Sequence, residues 1–164
     1  MLQITKKVDY GLVALTHLAL HPTERLSARE LAETYRLSRT LMANCLKVLG
    51  RNGLLHAARG TKGGYALACD PAEVTVGLLV ELLDAPLQLA DCLAGPGQGL
   101  GCEVSRVCPV KKSVFKIQLQ IRDVLFGTTI AELAREARQP GEALPVVASS
   151  PEKAVCPASA GSPQ

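Results

Sequence analysis

Residues 27–68, SARELAETYRLSRTLMANCLKVLGRNGLLHAARGTKGGYALA, decide the fold. Ser27-Ala-Arg-Glu30 is a capping box: the serine oxygen and the glutamate carboxylate each satisfy an orphan backbone N–H, so a short helix opens there and runs to about Tyr35. Three residues further on, Ser38 caps again. The helix it starts, RTLMANCLKVLGRN, presents Leu41, Cys45, Leu46 and Leu49 for burial and stops at Gly53, a suitable left-handed terminator. Two short helices joined by a turn of about three residues outline a helix-turn-helix, whose second helix enters a major groove. The remainder, LLHAARGTKGGYALA, reads as strand, glycine-rich turn and strand, with Arg59 and Lys62 at the tip. Placed directly after a helix-turn-helix, this hairpin reads as a wing whose charges lie along phosphates. The loop lacks the GxxxxGK[ST] spacing and opens no helix, which argues against a nucleotide site.

Working outward, Thr5 is the expected cap of a first helix from Lys6 to Leu20, with Val8, Leu12, Leu15 and Ala19 on one face. Its apolar run is interrupted by Asp9, Tyr10, Thr16 and His17 and leads to no small-residue cleavage site, so it reads as an amphipathic helix and not as a signal peptide. No apolar stretch approaches the roughly 20 residues that span a bilayer, and the expectation is a cytoplasmic protein without a membrane partner. On the other side, Asp70-Pro71 turns the chain and Thr75 caps a helix to about Asp84. Pro109 is placed to open a long helix, VKKSVFKIQLQIRDVLF, whose stripe of Val110, Val114, Ile117, Ile121, Val124 and Leu125 asks for a partner. A twofold mate suits a protein that reads a palindromic site. Thr129-Ile-Ala-Glu132 is a second capping box and begins a final helix to about Arg138. From Gln139 the chain holds five of its ten prolines and no period, which predicts a disordered tail over 139–164.

The expected fold is therefore mainly α with a small β-hairpin wing: a winged helix-turn-helix over 1–75, then a cysteine loop and dimerisation helices over 76–138. Charge supports this division weakly. Residues 1–75 carry ten Lys and Arg against six Asp and Glu, whereas 76–138 carry seven of each. A mild positive bias confined to the first segment is compatible with a nucleic-acid face.

Within the second part lies DCLAGPGQGLGCEVSRVCP, residues 91–109, with three thiols and four glycines. In a reducing compartment such a cluster binds metal or does redox chemistry more readily than it builds disulfides. Gaps of nine and five residues match neither the paired CxxC of zinc ribbons nor the CxxCxxC run of ferredoxins. Three thiolates prefer a soft metal or an iron-sulfur cluster, and no histidine beyond His56 offers a fourth ligand for structural zinc. Cys45 and Cys69 read as structural, and no role follows for Cys156.

ITKKVDYGLVAL at the N-terminus, the wing RGTKGGYALA, the segment DPAEVTVGLLVELLD and the three-cysteine loop before a long helix occur in one unbroken order over residues 1–138. Together they resemble the Rrf-two family of bacterial winged-helix regulators, and within it the regulators of Isc and Suf cluster assembly and the nitric-oxide sensors. The resemblance implies a homodimer with one iron-sulfur cluster per subunit that binds operator DNA and usually represses transcription. It implies Cys92, Cys102 and Cys108 as cluster ligands, residues 38–51 as the recognition helix and Arg59 as the wing arginine in the minor groove. Assembly regulators place a histidine three residues after the third cysteine, where this chain has Lys111. Nitric-oxide sensors instead use an aspartate near the start of the first helix, donated across the dimer, and Asp9 stands at the matching position. That ligand favours a 4Fe-4S over a 2Fe-2S cluster.

On DNA, Ser38 opens the recognition helix, Arg39 and Thr40 reach base edges, and Lys47, Arg51, Arg59 and Lys62 hold phosphate or groove. Two other functions fit parts of the sequence. One is a cluster-free thiol redox sensor that binds DNA; the other is a zinc-stabilised module that docks protein. An enzyme is not expected, since His17, His21 and His56 show no pairing of base with nucleophile.

Overall fold

The structure is a computed structural model that describes residues 4–58, 60, 63–84, 87–93, 102, 104 and 107–139. Among the described residues, six α-helices and one two-stranded sheet follow in the order α1 (Lys6–Leu20), α2 (Ala28–Thr34), α3 (Arg39–Arg51), β1 (Leu55–Ala58), β2 (Gly64–Leu67), α4 (Val76–Leu83), α5 (Lys111–Gly127) and α6 (Ile130–Ala137). The mainly helical architecture with a hairpin is the one expected from sequence. The wing-tip residues Arg59 and Lys62, together with residues 140–164 of the tail, lie outside the described residues.

Local chemistry explains most boundaries. Both capping boxes form, at Ser27 with Glu30 and at Thr129 with Glu132, while the hydroxyls of Ser38 and Thr75 accept from Leu41 and Leu78. Thr5 departs from expectation: it occupies the N-cap position of α1 without a side-chain cap bond, and its Oγ1 is buried with no hydrogen-bond partner. Pro109 also stands outside the first helical turn, because Val110 is the N-cap of α5.

Helices α2 and α3 end in the same way. At the end of α3, Gly53 sits at φ +77 while its N–H reaches Gly50 O at 3.2 Å and Leu54 N reaches Leu49 O at 3.0 Å. At the end of α2, Arg36 N reaches Glu33 O at 3.3 Å and Leu37 N reaches Ala32 O at 2.8 Å. These are two Schellman motifs, but the left-handed position at the end of α2 holds an arginine, Arg36, at φ +54. A side chain with a Cβ pays about 1–2 kcal/mol there.

Strands β1 and β2 pair antiparallel from Leu55↔Leu67 to Ala58↔Gly64. Tyr65 exchanges backbone bonds with Leu26 at 2.8 and 3.1 Å, which ties the wing to the chain ahead of α2. Gly64 makes this approach possible, since a Cβ there would lie 2.9 Å from the Leu26 backbone.

The core is built around α1, which contributes Val8, Ala14, Leu15 and Leu18 and packs against α3, α4, α6 and β2. On α3 the buried face is Met42, Cys45, Leu46 and Leu49; Leu41, expected inside, is only half-buried. Ile130 of α6 joins the same cluster. The start of α6 is stitched to the start of α4: Val76 N donates to Thr128 O at 2.9 Å and Ile130 N to Val74 O at 2.8 Å. Helix α5 buries no residue fully, yet Phe126 near its end packs over Gly77 so closely that a Cβ would enter the ring.

Two stability changes follow. Arg36→Gly should raise stability by about 1 kcal/mol, because glycine removes the left-handed strain at an exposed position. Gly77→Val should lower it by roughly 1–3 kcal/mol through overpacking against Phe126. Urea midpoints with unchanged slopes would establish both signs.

Candidate nucleic-acid interface and thiol loop

The turn between α2 and α3 is pinned to α1 by two tyrosines. Ser38 N donates to the Tyr10 hydroxyl at 3.1 Å, and the Tyr35 hydroxyl pairs with His17 Nδ1 at 2.8 Å. Burial pushes the Tyr35 phenol above its ordinary range and, with the neighbouring His21, holds the His17 imidazole below its own. Both shifts favour neutral forms, so α3 starts from a position fixed by uncharged hydrogen bonds.

From there α3 turns one face outward. Arg39, Ala43, Lys47 and Arg51 form a solvent-exposed row at four-residue spacing, with Thr40 and Asn44 exposed in the adjacent row. Of the expected interface residues, Arg39, Thr40, Lys47 and Arg51 share this surface, and Ser38 is exposed at its head. The Ser38 hydroxyl is engaged in the cap, accepting from Leu41 N at 3.5 Å. Asn44 is the residue that the sequence reading passed over. Its signal was its place, one helical turn beyond Thr40, and an asparagine on such a face is suited to pair with adenine. Arg39 is also not isolated, because its guanidinium is bound to the carboxylate of Glu33 on α2.

The cysteines divide into two kinds. Cys45 is 2% exposed, with its thiol donating to Lys7 O at 3.4 Å, and burial pushes its pKa up. Burial does the same for Cys69, reinforced by the carboxylates of Glu73 and Asp70. Both are structural, as expected. Cys92, Cys102 and Cys108 are half-buried, free of disulfides and outside the hydrophobic core. Cys92 lies in a 3-10 turn, Asp91–Leu93, whose approach is tied to α5 by Leu89 N donating to Gln118 Oε1 at 3.0 Å. Cys108 stands two residues ahead of the α5 N-cap. The donor set suits a soft metal or iron-sulfur cluster, three thiols with no competing disulfide or core role. Geometrically the chain does not assemble it: among the described residues, no three His, Cys, Asp or Glu side chains are grouped closely enough to hold a metal. Asp9 is exposed in the first turn of α1.

Because reactivity follows access and thiolate character, a brief native alkylation followed by mass mapping should label Cys92, Cys102 and Cys108 first, Cys69 slowly and Cys45 only after unfolding. Equal labelling of Cys45 and Cys108 in the folded protein would contradict this division.

Comparison with known proteins supplies the family. Residues 4–136 match the model of the Rrf2 family, described as "Iron-dependent Transcriptional regulator". The chain is 35% identical over 133 residues to the HTH-type transcriptional regulator NsrR of Shouchella clausii, covering 80% of this chain and 88% of that protein. Its fold is similar to that of T. potens IscR, with a TM-score of 0.65 and 28% identity over 87% of this chain and 94% of the other. It is equally similar to CymR, the global cysteine regulator of B. subtilis, with a TM-score of 0.65 and 26% identity over 83% and 98% of the two chains. Among the described residues no helix is long and apolar enough to cross a membrane. Matched over most of its length, with an exposed basic face on α3 and a hairpin wing, the chain belongs to the Rrf2 family of winged-helix transcriptional regulators, which bind DNA.

Proposed function

We propose that this protein is an iron-sulfur-dependent transcriptional repressor that binds operator DNA as a homodimer. The observation that carries the reading is the sorting of thiols. Three free, half-buried cysteines stand between α4 and α5, while Cys45 and Cys69 are given over to packing. Cys92, Cys102 and Cys108 would hold the cluster, with Asp9 of the other subunit as the fourth ligand favouring a 4Fe-4S form. When bound, the cluster supplies a centre sensitive to oxygen, nitric oxide or iron supply. Gathering the three thiols onto one ligand fixes where α5 begins, and α5 ends at the stitch beside α4.

Residues 1–75 would then read DNA and 76–138 would bind the cluster and dimerise. Helix α5 carries the means for pairing. Val110, Ile117 and Val124 recur every seven residues and are 56, 49 and 67% exposed, a seam of the kind that packs against a second helix. In the groove, Arg39, Thr40 and Asn44 would meet base edges. Lys47, Arg51 and, at the wing, Arg59 and Lys62 would hold phosphate, with Ser38 setting the head of the helix.

A second reading, thiol sensing without a cluster, draws on the likeness to CymR and on the ungathered thiols of the single chain. Colour separates the two. Protein purified without oxygen should show visible bands and about four irons and four sulfides per subunit, lost on Asp9→Ala. A colourless, iron-free protein that still binds DNA would transfer the assignment to thiol chemistry. In sedimentation, Ile117→Glu should yield a folded monomer, because the substituted position is exposed within the subunit. A variant that remained dimeric would remove α5 from the interface. Lys47→Ala should weaken binding to all sequences alike and reduce the salt slope by about one phosphate.

A further inference from the structure

Arg39, the first residue of α3, is held by a partner that DNA does not supply. Its Nη2 donates to Glu33 Oε1, and the same oxygen accepts Arg29 Nε at 3.0 Å. Arg29 and Glu33 are one turn apart on α2, whereas the bond to Arg39 crosses to the recognition helix around the strained Arg36 turn. The hydrogen bond from Arg29 and the charges of both arginines hold the Glu33 carboxyl below its ordinary range, so the trio carries a net charge of one.

We infer that Glu33 is a positioning residue for base reading: it fixes the Arg39 guanidinium edge-on to the groove and turns it away from phosphate. The inference rests on the DNA-reading role of α3 proposed above and adds a determinant of its specificity. An exposed arginine on a free stem finds phosphate oxygens as readily as bases, and phosphate contacts carry no sequence information. With Nη2 engaged by Glu33, the other donors of the planar fork remain for a pair of acceptors such as guanine O6 and N7. The carboxylate beside the fork also repels the DNA backbone, which lowers the attraction of Arg39 for any sequence without a base to pair with.

This arrangement predicts an unusual pairing of effects. Glu33 is exposed, and in Glu33→Gln the side chain keeps its shape while losing its charge, so the melting temperature should not change. Wild-type protein, Glu33→Gln, Arg39→Ala and the double variant are each selected against a pool of duplexes with a randomised central segment, and the bound fractions are sequenced. Wild type should enrich a twofold motif. Glu33→Gln should flatten base preference at the half-site position that Arg39→Ala also flattens, cutting the ratio of selected to random affinity about tenfold. Its affinity for random duplex should rise, with a salt dependence steeper by about one phosphate. The double variant should lose no more preference than Arg39→Ala alone.

Wild-type preference at every position in Glu33→Gln would overturn the inference and leave the DNA-reading role standing. So would an equal loss of affinity for selected and random duplexes, the mark of a merely structural residue. A wild-type pool without any enriched motif would instead remove the role on which the inference rests.

Discussion

Helix α1 must be apolar toward several neighbours at once, and the rest of the fold hangs on that burial. Val8, Ala14, Leu15 and Leu18 are at most 1% exposed, and α3, α4, α6 and β2 all pack against the helix that carries them. Fully burying Val8, Leu15 and Leu18 is worth roughly 1.5–3 kcal/mol each, a total comparable to the 5–15 kcal/mol net stability of a typical domain. Helix α3 therefore has no independent foundation. It stands on α1 through Met42, Cys45, Leu46 and Leu49, and its head is held by the Tyr10 hydroxyl. The last helix uses the same foundation, since Ile130 enters the cluster from the far end of the described chain.

Against this apolar base, the exposed side around α3 is organised by polar economy. Caps, the Glu30 carboxylate among them, Schellman turns and the Tyr10 and Tyr35 hydroxyls hold the helix ends, which leaves the charged side chains of α3 free of structural duty. Arg39 is the exception, engaged by Glu33. An exposed ion pair of this kind contributes little to stability, so its interest lies in where it aims a side chain.

The elements that could be read from sequence were those governed by neighbours in the chain. Ser27 with Glu30, Ser38, Thr75 and Thr129 with Glu132 each cap within three residues, and all four act as their local patterns indicate. Burial of Cys45 followed from helical spacing. What escaped depended on distant partners or on an unfavourable residue in a favourable place. Met42 replaced Leu41 inside because α3 is rotated to meet α1, and Arg36 concealed a Schellman turn that a glycine would have announced. The Thr5 hydroxyl makes no cap bond, and nothing local foretells it. Asn44 was passed over because attention to charge overlooks a neutral side chain that becomes significant only once its face is known. The thiol loop illustrates the opposite limit: composition marks its candidate donors, but gathering them is a matter of long-range geometry that residue types do not encode.

The stitch between α4 and α6 makes α5 a lever with a fixed heel. Thr75 and Thr129 face each other across a backbone bridge, and beyond it α5 is tied to α4 by Arg122 with Glu81 at 3.0 Å and to the 87–93 segment through Gln118. All these anchors lie along its C-terminal two thirds. The opposite end, where Cys108 precedes the first turn, is about 25 Å away along a 17-residue helix. For a rigid helix, one degree of tilt at the heel carries that tip by about 0.4 Å, so a small adjustment beside α4 is larger where Cys108 stands. The converse holds as well: holding the tip in one place restrains the heel far more finely than any contact made beside it.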